Sequence, residues 1–430
     1  MTNLNADQEA AAQALFDFLL DSTQKEFSIS GPAGVGKTYL LQYLYQRIMP
    51  MYADACKMVN IQQTINNIVF TAMTNRAADV LTKTMGQSAQ TTHSFMNLKV
   101  YDDYSTGRQK IQKKASFTVH ENTIIVIDEA SMVDYELYRI LHEGTSSTCK
   151  LVYVGDRNQI APVGEKLSMV WNPSIPSVNL TIPMRNAGQP ALINLCNQFR
   201  TTVETGQFFP ITLVPGVIEH LDGPAMQDHV DRVFLPIEHS SRILSYTNQN
   251  SKSFNDYIRT IRGYTGRYDT GEIVVLNKAF DVTKNNTISA EQEFVIKRDS
   301  NLSDETFDFD GMPVVCYKIE ITSLKTNDTY SVYQADDPDY LSKVSNYFRS
   351  HKDWSNYFRL TNLIPDLRPR DASTVHKAQG SSYNSVYIDL DDIGSCNIKE
   401  QVARMLYVAV SRARNKIYFY GKLPDKYLGG

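Results

Sequence analysis

The residues best able to do chemistry lie at the ends of short apolar runs. Gly31, Pro32, Ala33, Gly34, Val35, Gly36, Lys37 and Thr38 read G-P-A-G-V-G-K-T and fit GxxxxGK[ST] in full. Glycines let backbone N–H groups close around phosphate oxygens, and a helix opening there adds its positive end. Lys37 supplies a mobile cation for the outer phosphates, and the Thr38 hydroxyl suits Mg²⁺. About ninety residues on, an apolar run ends in Asp128 and Glu129. The first carboxylate suits Mg²⁺; the second suits proton abstraction from an attacking water. Asp156 and Gln159 follow another apolar run, where loops converge on ligand in open parallel sheets. A glutamine there can sense a γ-phosphate or position water. Arg185 and Arg412 are candidate charge stabilisers. Each feature has a bland counterpart: a glycine turn, an acidic turn, a polar turn and a solvated basic face, the last favoured for Arg404 and Lys416. Loop and carboxylate pair together point to ATP with Mg²⁺.

Strands must deliver these groups. "EFSIS", "NNIVFTAMT", "NTIIVIDEA" and "CKLVYVGD" read as strands, nearly all apolar, alternating with helices such as "NRAADVLTKTM". That pattern predicts a parallel sheet buried between helices. The helix "YLLQYLYQRIM" is expected to end before Pro50. A second alternating region holds the strands "SRILSYTNQ", "NSVYIDL" and "KIYFYG" and the helices "NSKSFNDYIRTIRG" and "KEQVARMLYVAVSRAR". Short β-runs between 263 and 370 suggest a small barrel, SH3-like, followed by an aromatic-rich helical stretch. Residues 97–120 read as a hairpin insertion with five basic against two acidic side chains. The fold expected is α/β: a first RecA-like, P-loop domain over 1–96 and 121–183, the hairpin over 97–120, a second RecA-like domain over 184–262 and 371–430, and a β-rich and helical insertion over 263–370.

Composition bounds the function. The chain has 430 residues, 42% hydrophobic and 21% charged, with a net charge of −4. These are globular values, and a broad basic coat for polyanions is absent, so any nucleic acid must be held in a local groove. No apolar run of about 18 residues suggests a membrane span. The five cysteines are scattered, without a CxxC pair, which disfavours a disulfide framework or zinc site and makes the reducing cytoplasm the expected setting.

Taken in order, the motifs resemble superfamily 1 DNA helicases of the RecD/Dda type. "LNADQEAA" carries Gln8 ahead of the phosphate loop, "FTAMTNRAADVL" and "TTHSF" resemble two DNA-contact motifs, and "IDEASM", "VGDRNQIAPVG" and "LTIPMRN" follow. "YTN", "STVHKAQGSSYNSVYIDL" and "LYVAVSRARN" mark the second half. The first DNA motif departs from the usual "APTGRAA", with Met73 and Asn75 in place of Pro and Gly. The resemblance implies ATP between two RecA-like domains and 5′ to 3′ movement on single-stranded DNA. It implies that Gln8 reads adenine, Arg185 and Arg412 reach the γ-phosphate, and Gln159 links nucleotide to DNA. It also implies that Thr71, Thr92, His93, Asn248, Thr374 and His376 line the strand. His93 and His376, taken alone, read as structural histidines. A motor of this kind needs a rigid element at a duplex junction. The hairpin is the candidate, with Tyr101 and Tyr104 at its turn, Lys110, Lys113 and Lys114 near phosphates, and Trp354, Tyr357 and Phe358 bracing it. The partners implied are single-stranded DNA, duplex junctions and a single-strand-binding or replisome protein, with the chain acting as a cytoplasmic monomer in replication, recombination or repair. An NTPase acting on RNA and an ATP-binding DNA clamp are the alternatives.

Overall fold

The computed structural model describes residues 4–106, 108–162, 164–182, 189–265, 267–283, 286–299 and 304–427. Six parallel strands form the first sheet. Their order is Gln90–Thr91, Asn67–Ala72, Thr123–Asp128, Lys150–Gly155, Glu26–Ser30 and Ser177–Asn179. Successive side chains leave a strand on opposite faces. Val126 and Val154 therefore pack with Leu15, Leu40 and Leu81 on one side. Ile127 and Tyr153 pack with Leu137 and Leu141 of the helix Tyr135–Glu143 on the other. Burial on both faces explains the unbroken apolar runs, and each such side chain contributes about 1.5–3 kcal/mol.

The helix after the phosphate loop does not stop at Pro50. It runs Lys37–Tyr43, makes a π-turn over Leu44–Ile48 and continues as Met49–Met58. Pro50 sits in the first turn of that last segment, where the wider turn absorbs the N–H that proline lacks.

The second sheet is also parallel, in the order Ala372–Thr374, Ser241–Ser245, Tyr383–Asp389, Ala413–Tyr420 and Ile218–Leu221. The helices Pro190–Thr205 and Lys399–Ser411 cover one face through Phe199, Leu406 and Val410. Gly223–Val233 and Asn248–Ile261 cover the other through Val230 and Ile258.

The chain leaves this domain after Asn248–Ile261 and returns at Asp371. Between lies an antiparallel sheet in the order Glu305–Phe309, Met312–Ser323, Glu293–Asp299, Ile273–Leu276 and Leu367–Pro369, with Thr329–Ala335 on the other edge of Met312–Ser323. Barrel closure is not among the pairings of the described residues. Met312–Ser323 is 12 residues long and divides one edge between Glu293–Asp299 and Glu305–Phe309. The helices Pro338–Ser350 and Trp354–Leu363 pack on it through Phe348 and Leu360. Exit and re-entry are tied together: Asp371 accepts from Arg262 at 2.7 and 3.0 Å and lies 2.7 Å from His239 Nε2.

Residues 97–120 contain the hairpin expected there, with Leu98–Asp103 antiparallel to Arg108–Lys113. No helix among the described residues is long and apolar enough to cross a membrane.

Candidate functional site

The phosphate loop starts where the strand Glu26–Ser30 ends. Gly31 N–H donates to the Gly155 carbonyl at 3.0 Å. A Cβ on Gly31 would lie 2.7 Å from the Leu180 carbonyl oxygen, so only glycine fits. Gly34 and Gly36 take φ of 88° and 83°, the left-handed region that a side chain disfavours. The Lys37 ammonium donates to the carbonyls of Gly31 and Pro32 at 2.6 and 2.9 Å. Gln8 is fully buried behind the loop. Its amide donates to the Val35 carbonyl at 3.3 Å, and its side-chain oxygen accepts from Asn5 N–H at 3.2 Å.

Asp128 closes the central strand, and Glu129 follows in the left-handed region at φ 55°. Glu129 N–H donates back to Asp128 at 2.9 Å. Burial and the Glu129 charge push the Asp128 carboxyl up to about 6, with Lys37 pulling the other way. A half-buried carboxylate whose charge is disfavoured by its surroundings, together with the Thr38 hydroxyl that follows Lys37 in the phosphate loop, is a donor set that fits a hard dication. Among the described residues no cluster of three or more His, Cys, Asp or Glu side chains could hold a metal by itself. Phosphate oxygens would complete the shell, as is usual for Mg²⁺.

The second domain reaches this site. A Cβ on Gly380 would lie 3.9 Å from the Glu129 carboxylate and 3.8 Å from the Thr74 hydroxyl. Gln379 donates to the Gln159 side-chain oxygen at 3.1 Å. Arg412 is buried and donates to the carbonyls of Val408 and Ser381 at 3.1 and 3.0 Å. Arg76 of the first domain donates to the hydroxyl of the same Ser381 at 2.9 Å. Arg185 lies outside the described residues.

The residues expected to line a strand divide into two groups. Thr71 and Thr92 do not face outward. Both are fully buried; their hydroxyls bond each other at 3.0 Å, and Thr71 also donates to Val126 O at 2.9 Å. They sit where the ends of two strands meet, and the hydroxyls are consumed there. Thr374 is likewise buried, accepting from Lys377 N–H at 3.4 Å. Asn248 and His376 are exposed and His93 is half-buried. Asn248 is presented by a built turn: Asp392 accepts from the N–H groups of Tyr246 and Thr247 at 2.6 and 2.7 Å. Its side chain accepts from Arg368 at 2.7 Å, and Arg368 also pairs with Asp366 at 2.9 Å. Desolvation by the surrounding protein lowers the pKa of the half-buried His93 from the ordinary imidazole value.

At the hairpin tip Tyr104 is 56% exposed, and its ring meets Phe358 edge-on at 5.1 Å between centroids. Asn362, on the same helix as Phe358, donates to Asp102 at 3.2 Å. Tyr101 stands opposite Lys110 in the ladder. Lys110 pairs with Asp103 at 2.6 Å and Lys113 with Glu143, so neither is the free cation expected for phosphates. Lys99 lies 3.8 Å from Asp281, and Lys377 lies 3.3 Å from Glu291.

Two residues were missed by sequence reasoning. Arg404, expected on a solvated face, donates to the carbonyls of Arg157 and Gln159 at 2.8 and 2.6 Å. Tyr407 donates its hydroxyl to the buried Asp156 carboxylate. The two are three residues apart on one helix face, and an Arg–Tyr pair on an otherwise apolar helix was the signal available.

A phosphate loop and carboxylate pair on one parallel sheet, faced by a second parallel sheet, define a tandem RecA-like nucleoside triphosphatase. Residues 18–165 match the AAA domain family, and residues 371–420 match the UvrD-like helicase C-terminal domain. The chain is 23% identical over 442 residues to the ATP-dependent DNA helicase dda of Enterobacteria phage T4, covering 91% of this chain and 93% of that one. It is 21% identical over 503 residues to the uncharacterized protein R530 of Acanthamoeba polyphaga mimivirus, covering 96% and 99%. A solved structure of a Pif1 helicase from Bacteroides with ADP-AlF3 and ssDNA aligns over all of this chain and 95% of its own, at 14% identity and a TM-score of 0.49. The family and relative matches liken both halves of the chain to superfamily 1 DNA helicases of the dda type.

Proposed function

We propose that this protein hydrolyses ATP to move 5′ to 3′ along single-stranded DNA and to part duplex DNA ahead of it. The observation that carries the reading is the junction at Gln159. A residue next to the nucleotide site bonds Gln379, which belongs to the same "STVHKAQG" stretch as the strand-facing His376. A polynucleotide and a nucleotide can thus bias one equilibrium, each by its differential affinity for the two states. Lys37 and the loop amides hold the β- and γ-phosphates, and Thr38 and Asp128 hold Mg²⁺. When bound, Mg²⁺ offsets charge on the phosphate oxygens. Glu129 takes the proton of the attacking water, Gln159 orients that water, and Arg412 and Arg185 meet charge developing on the γ-phosphate. Gln8, behind the loop, reads the adenine. Asn248, His376 and His93 lie beside the DNA, and the threonines Thr71, Thr92 and Thr374 set the backbone that presents them. Base stacking and backbone contact give sequence-tolerant grip.

The domains proposed are the first over 1–96 and 121–183, the hairpin over 97–120 as the strand-separating pin, the second over 184–262 and 371–430, and the insertion over 263–370. The protein acts as a monomer in the cytoplasm, beside a single-strand-binding or replisome protein. Strand displacement on duplexes with a 5′ tail, a 3′ tail or an RNA tail tests the reading. Displacement only from the 5′ DNA tail is expected. Preference for the 3′ or the RNA tail, or ATP hydrolysis without displacement, would overturn it.

A further inference from the structure

The segment Asp156–Gln159 is only one turn long, yet both domains bind it on every side. From its own domain, Ser131 Oγ donates to the Asp156 carbonyl at 2.6 Å. Arg157 N–H donates to Ser30 Oγ at 3.3 Å, at the end of the strand that enters the phosphate loop. From the second domain come five more hydrogen bonds. Tyr407 donates to the Asp156 carboxylate, and Arg404 donates to the carbonyls of Arg157 and Gln159. Asn158 donates to Glu204 at 2.9 Å, and Gln379 meets Gln159. The Tyr407–Asp156 pair is buried on both sides. Burial and the neighbouring carboxylate raise the Tyr407 phenol far above its ordinary range, so it is a permanent donor.

The other approaches between the two RecA-like halves are of a different kind. Only an added Cβ on Gly380 would come within 3.9 Å of the Glu129 carboxylate, and Arg76 and Arg200 each make a single bond across, to Ser381 at 2.9 Å and to Asn179 at 3.4 Å. Parting the domains at Asp156 would strand a buried carboxylate with the Asn158 N–H, 3.0 Å away, as its remaining partner. That is costly in a low-dielectric setting. Parting them at Glu129 breaks nothing comparable. We propose that Tyr407 and Arg404 are positioning residues that pin the Asp156–Gln159 loop to the helix Lys399–Ser411, making this loop the pivot about which the nucleotide cleft opens and the relay by which a bound strand is sensed at the γ-phosphate. Because that helix leads directly into Arg412, rotation about the pivot carries Arg412 and moves Gln159 by a fixed amount.

The inference rests on the polynucleotide-driven ATPase proposed above, and the test separates the two. ATP turnover is measured with and without saturating single-stranded DNA, together with strand displacement and thermal unfolding, for the wild type, Tyr407→Phe, Arg404→Lys and the double variant Tyr407→Phe/Asp156→Asn. The double variant removes the stranded charge and keeps the question open to measurement where Tyr407→Phe alone folds poorly. Turnover without DNA is expected to stay within about twofold of wild type, while DNA stimulation falls about tenfold and displacement per ATP falls with it. Arg404→Lys, keeping a cationic donor on a shorter head, is expected to retain part of the stimulation. Parallel loss of basal and stimulated turnover, or unchanged stimulation in a folded variant, overturns the pivot alone. A wild type whose turnover ignores DNA overturns both the pivot and the function it rests on.

Discussion

Replacing Asp371 by Asn should loosen the root of the insertion by several kcal/mol. The carboxylate joins the end of the helix Asn248–Ile261 to the strand Ala372–Thr374 through Arg262 and His239, and all three side chains are less than a tenth exposed. Burial alone would raise its pKa, but the hydrogen bonds from His239 and Arg262 outweigh that and bring it down from 3.8 to about 2. A gap of nearly two units corresponds to about 2 kcal/mol of stability at neutral pH. Because the folded value is the lower one, that stability is complete above about pH 4 and drains as pH falls toward 2. Asparagine also leaves Arg262 buried without a counter-charge, which raises the total to about 3–5 kcal/mol. Urea unfolding at pH 7 should read this loss, and hydrogen exchange should place it at residues 239, 262 and 371. In the variant, stability should no longer drop between pH 4 and 2 by the share that Asp371 supplies. Arg262→Met in the same chain removes the stranded cation and should restore part of the loss. A single variant within about 1 kcal/mol of wild type, or a double variant no more stable than the single, would refute the argument.

The remaining expectations concern the site. Lys37→Ala should lower ATP turnover by at least about a hundredfold with the melting curve unchanged, measured by phosphate release. Glu129→Gln should bind ATP and DNA normally and turn over about 10²–10⁴ times more slowly, seen by comparing equilibrium nucleotide binding with steady-state rate. Arg412→Ala should keep ground-state binding and lose about 10³-fold or more in turnover, because its partner charge develops in the transition state. Tyr101→Ala with Tyr104→Ala should cut strand displacement while single-strand ATPase changes little. Removing the Tyr104–Phe358 contact accounts for about 0.5–1.5 kcal/mol of hairpin docking. Equal losses in both assays would rule out the pin.

What could be read in the residues was what local chemistry dictates. A loop that must wrap phosphate needs Gly31, Gly34 and Gly36 in sequence, and a strand buried on both faces must be apolar up to the carboxylate it delivers. Both are visible without a structure. The limits came from contacts between distant residues. Arg404 lies on the helix that Arg412 caps, in the same local composition, yet one reaches carbonyls 245 and 247 residues away while the other bonds Val408 on its own turn and Ser381 beside it. The family resemblance set Thr71 and Thr92 along the strand, but the meeting of two strand ends buries them against each other. Pro50 read as a helix stop because a proline usually costs a hydrogen bond. A π-turn just upstream removes that cost, and nothing in the sequence marks a π-turn. The insertion was legible as β-rich but not in its closure, which depends on how one long strand divides its edge between two partners.

The ion pairs around the hairpin and along the second domain have a consequence for how affinity should respond to salt. Lys110, Lys113, Lys99, Lys377 and Arg368 each have a carboxylate within 4.0 Å. When an unpaired cation meets a phosphate, counterions leave the nucleic acid, and each such contact adds about −0.7 to the slope of log K against log salt on a single strand. A lysine that abandons an aspartate to do so frees a carboxylate, which gathers cations of its own. The release from the DNA is then repaid by uptake on the protein, and the contact adds little to the slope. Strand binding here should therefore weaken only gently as salt rises, and its strength should come from stacking and shape rather than from an ion atmosphere set free.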